Sequence, residues 1–327
     1  MTLPKESMGL AEIPDDVVLP FSAEGLGTRG RLARLGPVVD QILRRHDYPE
    51  PVSRLLGEAI VLASMLGTTL KFDGRLILQT QSDGPVSTIV VDFDTPDSLR
   101  GWAQFDADAV ARWQQSGSSD QAELLGKGSL ALTLDYGREQ TRYQGLVPLE
   151  GGSFAQAANL YFHQSEQIPT LVRLAVAENI LPEGRQWRAG GLLVQYLPET
   201  GGIHRRPDLD PGDVPEGTDA PDINAEPEAW IEASALAATV EDIELIDPNL
   251  SPEQLLIRLY HESGVRVFES QPLSDTCRCS QDRIRDMLAQ FSPEEREEMV
   301  ENGGIFVTCE FCSTSYDFDP EEFKNNP

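Results

Sequence analysis

Four cysteines in two close pairs are the residues of this sequence best suited to chemistry. Cys277 and Cys279 are separated by a single arginine, and Cys309 and Cys312 form a Cys-x-x-Cys pair that begins thirty residues after Cys279. Thiolates are soft ligands, and four of them complete the tetrahedral shell that Zn²⁺ prefers. Because the chain has no other cysteine, the pattern predicts one structural zinc ion bound by all four sulfurs.

The spacing of the first pair leaves two interpretations open. A disulfide between Cys277 and Cys279 would close a very small, strained ring, and strained disulfides are readily reduced. The pair could therefore be reversibly oxidised, but it could equally be a plain pair of zinc ligands. Arg278 lies between the two cysteines and would favour their thiolate forms. We expect it, more simply, to be a solvent-exposed turn residue.

The segment that carries the cysteines has little apolar content, and units of this kind usually need a metal ion or disulfides to fold. From about residue 264, the sequence predicts two short helices, capped by Ser280 and Ser292, and a hairpin with Cys309 and Cys312 at its turn. Zinc binding contributes on the order of 10–16 kcal/mol to the folding of such units. Converting either pair to a disulfide would destroy the site. The residues thus suggest a redox switch in which oxidation unfolds this unit and exposes apolar surface.

The elements upstream of the cysteines predict an α+β fold. Helical periodicity alternates irregularly with β-branched and alternating runs, without the regular βαβ order of a doubly wound sheet. The predicted helices cover 36–43, 52–70 and 153–165. The predicted strands cover 75–81, 86–93, 129–135, 141–149, 169–178 and 191–198.

A change of composition separates these elements from the cysteine-bearing unit. Residues 205–228 are rich in Asp, Glu, Pro and Gly, and this composition predicts a flexible loop or linker. One helix is predicted over 228–246, with Val240 and Ile243 on its apolar side, and another begins at Ser251. If oxidation loosens these helices, the apolar side chains that become available for binding are Trp230, Leu236, Leu255, Leu256, Leu259 and Tyr260.

Charge and hydropathy exclude several classes of partner. The chain has 54 acidic and 26 basic residues, a formal net charge of −28, which disfavours nucleic acid and anionic lipid surfaces as partners. The sequence contains neither an apolar run of about eighteen residues nor a signal-peptide pattern at residues 1–16. We therefore expect a cytoplasmic protein, in a compartment where clustered cysteines are metal-binding or redox-active.

The sequence resembles the Hsp33 family of redox-regulated chaperones. The Cys-x-Cys and Cys-x-x-Cys pairs have the spacing and position of that family, and further landmarks occur in the family's order. They are HDYPEPV at 46–52, TTLKFDG at 68–74, QSDGP at 81–85, RGWAQF at 100–105, RYQGLVPLEGG at 142–152, YFHQSEQIPT at 161–170, AGGLLVQYLP at 189–198 and RLYHE at 258–262. The resemblance spans nearly the whole chain. The sequence departs from the family in a longer acidic segment at 205–228 and in Ser313, where a glycine often stands.

The resemblance implies a function and a division into three parts. It implies a holdase that needs no ATP and is inactive while Cys277, Cys279, Cys309 and Cys312 bind zinc. Oxidants such as peroxide or hypochlorous acid would form the disulfides Cys277–Cys279 and Cys309–Cys312, release zinc, disorder the linker and allow binding of unfolding clients, often by a dimer. The parts are an α+β domain for client binding and dimerisation over 1–204, a redox-sensitive linker over 205–262 and a zinc-binding domain over 263–327.

Two other functions remain to be distinguished from this one. A structural zinc-ribbon protein could bind a partner regardless of its redox state. The second is an enzyme with a zinc-supported domain: a catalytic zinc keeps an open coordination position, which four cysteines do not leave, and this argues against metal catalysis but not against catalysis elsewhere in the chain. The histidines are not spaced as metal ligands, and we expect each to be a structural or surface residue: His46, His163, His204 and His261.

Overall fold

The computed structural model describes residues 15–137, 142–150, 152–181, 184–197 and 226–323. The strands are β1 Val17–Ala23, β2 Thr28–Leu35, β3 Arg75–Ser82, β4 Val86–Asp94, β5 Ser98–Phe105, β6 Lys127–Asp135, β7 Tyr143–Glu150, β8 Thr170–Leu181, β9 Gly184–Tyr196, β10 Val265–Val267, β11 Gln271–Pro272, β12 Ile305–Thr308 and β13 Ser315–Phe318. The helices are α1 Pro37–Arg44, α2 Glu50–Gly67, α3 Ala107–Ser116, α4 Gln121–Leu125, α5 Phe154–Tyr161, α6 Glu228–Ala238, α7 Asp242–Ile246, α8 Pro252–Tyr260, α9 Gln281–Leu288 and α10 Pro293–Glu298.

The strands form two antiparallel sheets and a separate hairpin, so the predicted α+β class is confirmed. The first sheet has the order β10-β1-β2-β9-β8, with β11 also paired to β1. The second sheet has the order β5-β4-β3-β6-β7, and β12 pairs with β13. The alternating burial along β3 is that of a strand with one face in the core and one face outside.

Helix α2 forms the centre of the large core. Almost every residue from Pro51 to Gly67 is buried, as the apolar character on most of its faces predicts. It packs on strands of both sheets, and its side chains belong to one continuous apolar cluster with those of α1, α5 and the second sheet. None of the helices in the described ranges is long and apolar enough to cross a bilayer.

Residues 228–260 pack on the opposite face of the first sheet. Helices α6, α7 and α8 bury Trp230, Leu245 and Tyr260 against β1, β2, β8 and β9. Gly190 and Gly191 on β9 allow this layered packing, because a Cβ at Gly190 would lie 2.1 Å from the Leu245 carbonyl oxygen and one at Gly191 would lie 2.5 Å from Val61 of α2. Thus α2 and α7 both approach the β9 backbone closely, from opposite faces.

The helix expected over 228–246 and the unit expected over 263–327 differ from the structure in their boundaries. The predicted helix over 228–246 is two helices, because Glu241 forms a capping box with Glu244 and starts α7 anew. Ile243 is consequently 60% exposed rather than on the buried side. The first residues of the unit predicted over 263–327 belong to the first sheet, because β10 and β11 pair with β1. Residues 205–225 of the acidic segment lie outside the described residues.

Glu58 on α2 makes the stability of this core depend on pH. Burial raises the pKa of Glu58 to about 7, and the nearby Asp242 of α7 adds to the rise. Between about pH 4.5 and 7, the folded carboxyl group therefore keeps a proton that the unfolded chain releases, so this residue's contribution to stability falls as pH rises. Glu58→Gln should remove this dependence, which is worth on the order of 1–2 kcal/mol between pH 5.5 and 8.

Urea unfolding of both proteins at the two pH values measures the effect. Relative to the wild type, Glu58→Gln should be more stable at pH 8 than at pH 5.5. The exposed residue Glu262 supplies the control, and Glu262→Gln should behave as the wild type does. An identical pH response of Glu58→Gln and the wild type would contradict the assignment.

Candidate metal centre

Two short turns bring the cysteine pairs together. Cys277 and Cys279 lie in the loop before α9, whose N-terminus is capped by Ser280 through the Arg283 amide at 3.2 Å. Cys309 and Cys312 lie in the turn between β12 and β13, here named the knuckle (residues 309–314). The Cys309 amide donates to the Thr314 carbonyl at 2.9 Å, which closes the knuckle.

The four sulfurs fit a tetrahedral metal site. All four thiols are free, and their Sγ atoms lie within 4.8 Å of one another. The sulfurs of Cys277 and Cys309 are 3.8 Å apart, and those of Cys279 and Cys312 are 3.2 Å apart. A tetrahedron with Zn–S bonds of about 2.3 Å has sulfur–sulfur edges of about 3.8 Å. The described residues thus bring together the full ligand set predicted from the sequence.

The electrostatics of the cluster also favour a cation. Burial raises the pKa of Cys279 to about 12, although the Tyr316 hydroxyl donates a hydrogen bond to its sulfur at 3.1 Å. Burial opposes ionisation of Cys312 as well, but hydrogen bonds with Thr314 outweigh it and lower the pKa of Cys312 to about 6. Sulfurs this close cannot all be thiolates unless a cation neutralises them, and a divalent ion does so.

Arg278 anchors the Cys-x-Cys loop to the second sheet, so its interpretation as a solvent-exposed turn residue is wrong. Its Nε lies 3.0 Å from the Asp94 carboxylate, and its Nη2 lies 3.6 Å from that of Asp92. Asp92 is almost fully buried and also pairs with Arg75 and Arg100. These ion pairs join the cysteine-bearing unit to strand β4.

Replacing Arg278 should weaken this attachment without changing the metal site. Arg278→Met leaves Asp94 without this partner, and partly buried ion pairs of this kind contribute about 1 kcal/mol. The amides of Leu99 and Ser274 hydrogen-bond across the same contact, at 2.8 and 2.9 Å. Their hydrogen exchange should accelerate several-fold while the zinc content stays unchanged. The exposed Arg112 on α3 provides the control substitution, Arg112→Met. Unchanged exchange in Arg278→Met would contradict the anchoring role.

Two residues outside the cysteine-bearing unit also contact it, and the spacing of the sequence gave no sign of them. His46 places Nε2 3.2 Å from the Phe311 carbonyl oxygen and Nδ1 3.1 Å from the Ser313 hydroxyl. Arg100 places a guanidinium nitrogen 4.0 Å from Cys277 Sγ. The only indication in the sequence was that His46 and Arg100 lie in the landmark segments 46–52 and 100–105. Ser313 itself adopts φ 55°, so it occupies the left-handed turn in which glycine is more usual.

The six apolar residues predicted to become available for binding lie together, away from the cysteines. Leu236 is half-buried and the other five are buried, all on α6 and α8 against the first sheet. The cysteine-bearing unit has a small core of its own, made by α9, β12, β13 and the residues that follow β13. A role of the six residues in client binding stays a prediction.

Comparisons with known proteins agree with this architecture. The family model described as Hsp33 protein matches residues 16–319. A 33 kDa chaperonin of Caulobacter vibrioides is 47% identical over 308 residues, covering 94% of this chain and 95% of that protein. A 33 kDa chaperonin of Pseudomonas fluorescens is 37% identical over 313 residues, covering 95% and 93%.

A solved structure shares the fold. The crystal structure of a 33 kDa chaperonin from Thermotoga maritima superposes with a TM-score of 0.73 at 22% identity, covering 94% of this chain and 97% of that one. The matches to the family model and to the curated relatives extend over almost the full length of the sequence, and the structure places the four cysteines in one cluster. This chain belongs to the Hsp33 family.

Proposed function

We propose that the protein is a holdase that needs no ATP, inactive when reduced and zinc-bound and activated by oxidation. The observation that carries the proposal is the cluster of four free thiols within 4.8 Å, in a unit docked on the first domain. Membership of a chaperone family supports the binding of unfolded proteins. The full sulfur ligand set supports a structural rather than a catalytic zinc ion, and hence a protein that is not an enzyme.

Oxidation would remove the ligands of the zinc ion. Zinc, when bound by Cys277, Cys279, Cys309 and Cys312, supplies much of the folding energy of the small unit. Forming the disulfides Cys277–Cys279 and Cys309–Cys312 takes two electrons from each pair of thiolates, and one equivalent of peroxide per pair takes up these electrons with two protons from solvent to give two water molecules. No thiolate ligand then remains.

The cysteines are connected through β10 and β11 to helices α6, α7 and α8, here named the linker helices. Helix α8 continues through residues 261–263 into β10 and β11, and the Leu273 amide donates to the Asp16 carbonyl at 2.8 Å. The next residue, Ser274, is held by hydrogen bonds with Asp97 and Leu99. If the cysteine-bearing unit unfolds, the hydrogen bonds of Ser274 no longer hold β10 and β11 at their C-terminal side. Helix α8, which leads into these strands, is then no longer fixed at its C-terminal end.

Release of the linker helices would uncover two complementary apolar surfaces. One is the inner side of α6 and α8, with the predicted client-binding residues Trp230, Leu236, Leu255, Leu256, Leu259 and Tyr260. The other is the sheet face beneath them, with Leu19, Phe21, Leu32 and Leu192. Burying apolar area from a client on such surfaces gives about 25 cal/mol per Å². The net charge of −28 would keep the opened protein in solution.

Unfolded or partly folded proteins are the proposed partners, and a second copy of the chain is a further one in the oxidised state. The acidic surface disfavours nucleic acid and anionic membranes. We place the protein in the cytoplasm, where thiols stay reduced until oxidative stress.

One experiment tests the proposal against its main rival. Bound zinc, free thiols and suppression of client aggregation are measured before and after peroxide with mild heating. We expect zinc and all four thiols to be lost while anti-aggregation activity rises, and reductant to restore the thiols. Retained zinc with unchanged activity would instead support a constitutive zinc-ribbon interaction module.

A further inference from the structure

Phe311 of the knuckle is bound by the first domain as a ligand would be. The Arg100 guanidinium lies over its ring, 3.9 Å from the centroid. Trp102 meets the ring edge-on, with 6.4 Å between centroids, and His46 Nε2 lies 3.2 Å from the Phe311 carbonyl oxygen. The contact therefore recognises an aromatic ring and a backbone carbonyl at the same time.

The walls of this site belong to the first domain alone. Arg100 is fixed by Asp92, whose carboxylate accepts from Nε at 2.9 Å and from Nη2 at 2.5 Å. The His46 ring stacks on Tyr48 at 4.9 Å between centroids, and the Tyr48 hydroxyl accepts from the Ala103 amide at 2.9 Å. We name His46, Tyr48, Arg100 and Trp102 the aromatic socket. Its side chains come from β5 and the loop between α1 and α2, and they are held by Asp92 of β4 and the Ala103 amide of β5.

The chemistry of the socket selects for aromatic side chains. A guanidinium over a ring face is attracted by the ring's quadrupole, and an edge-on indole adds to this attraction. An aliphatic side chain of similar size gains neither of these two attractions. Aromatic side chains are mostly hidden in folded proteins and become available when those proteins unfold. The Phe311 contact thus shows which residue type of an unfolded chain the socket fits.

We propose that Phe311 is an internal competitor for a client-binding site: when the knuckle leaves, the aromatic socket binds aromatic side chains of unfolded proteins. This inference rests on the proposed holdase function. The socket lies on the second sheet, so it is a separate site from the apolar face of α6 and α8. Phe311 lies between two zinc-binding cysteines, and the redox state of the knuckle therefore controls whether the socket is occupied.

Peptide binding by the full-length protein tests the socket. Two labelled peptides of glycine, serine and threonine differ only in one central residue, phenylalanine or leucine, and binding is followed by fluorescence anisotropy. The oxidised wild type should bind the phenylalanine peptide about fivefold more tightly, the ratio that about 1 kcal/mol from the cation–π and edge-on contacts together gives. Reduced wild type, with Phe311 in place, should bind both at least tenfold more weakly than the oxidised form binds the phenylalanine peptide.

Substitution of Trp102 locates the binding. Oxidised Trp102→Leu should lower the preference for phenylalanine to about twofold or less, because the edge-on contact is lost. Trp113→Leu changes a tryptophan on α3, outside the socket, and should keep the preference. In a second measurement, a benzophenone amino acid replaces phenylalanine in the peptide and should crosslink to residues 46–48 or 100–105 of the oxidised wild type.

Two results would overturn the inference: equal binding of the two peptides by the oxidised wild type, or crosslinks confined to residues 228–260. Client aggregation is measured on the same samples. Suppression of aggregation without a phenylalanine preference would refute the socket and leave the holdase function standing. A phenylalanine preference without suppression would support the socket and refute the holdase function.

Discussion

Cys309→Ser is expected to strip zinc from the reduced protein and to unfold the cysteine-bearing unit without any oxidant. A serine hydroxyl does not replace a thiolate as a zinc ligand, and three sulfurs leave the tetrahedral shell incomplete. The core of the unit consists of a few side chains from α9, β12, β13 and Phe323. Such a core does not replace zinc binding, which is worth about 10–16 kcal/mol to units of this kind.

Zinc analysis and limited proteolysis measure this result. Bound zinc should fall at least about tenfold from one ion per chain, and protease should cleave within 274–323 of the reduced variant. If the proposed function is right, the reduced variant should also suppress client aggregation without peroxide.

Ser313→Gly is the matched control for this substitution. It changes the same knuckle, and glycine fits the φ of 55° at this position, so zinc should be retained. A full complement of zinc in Cys309→Ser, with the unit still resistant to protease, would show that the ligand assignment is wrong.

The periodicity of the sequence predicted most elements whose partners are close in the chain. The strands predicted over 75–81 and 86–93 correspond to Arg75–Ser82 and Val86–Asp94, because a sheet with one buried face imposes alternation that the sequence displays. The clustering of the four cysteines was equally predictable, since the spacing of the two pairs is itself the signal.

The attachment of the cysteine-bearing unit could not be predicted in this way. Arg278 was expected in solvent, whereas its actual partners Asp92 and Asp94 are almost two hundred residues away in the sequence. His46 contacts the knuckle across a still larger separation, 265 residues. Strands β10 and β11 have three and two residues, too few for a periodic pattern, and their pairing with β1 is also long-range. Such contacts depend on the tertiary fold and leave no local trace.

Arg34→Met is expected to release the linker helices while zinc remains bound. Arg34 is fully buried on β2, and its guanidinium donates to the backbone carbonyl oxygens of Asp247, Leu250 and Glu244, the last at 3.2 Å. These carbonyls belong to α7 and the turn before α8. Methionine fills a similar volume but donates no hydrogen bond. The carbonyls would be left buried without this donor, at a cost of about 3–5 kcal/mol in the docked state.

The measurements are zinc content, binding of an apolar dye and client aggregation, all on the reduced protein. Dye binding and anti-aggregation activity should rise to near those of the oxidised wild type, with one zinc still bound per chain. Arg29, exposed on the same strand, provides the control Arg29→Met, which should behave as the wild type does. Dye binding no higher than in Arg29→Met would refute the role of Arg34 in holding the linker.

The two variants together determine the order of events. Cys309→Ser removes the metal and should free the linker as a consequence, because the short strands after α8 lose their anchor at Ser274. Arg34→Met frees the linker by removing its contact with the sheet, and the zinc unit keeps its own core and its own attachment through Arg278. If Arg34→Met also loses zinc, the linker and the zinc unit unfold as one cooperative unit, and loss of the metal is not the step that comes first.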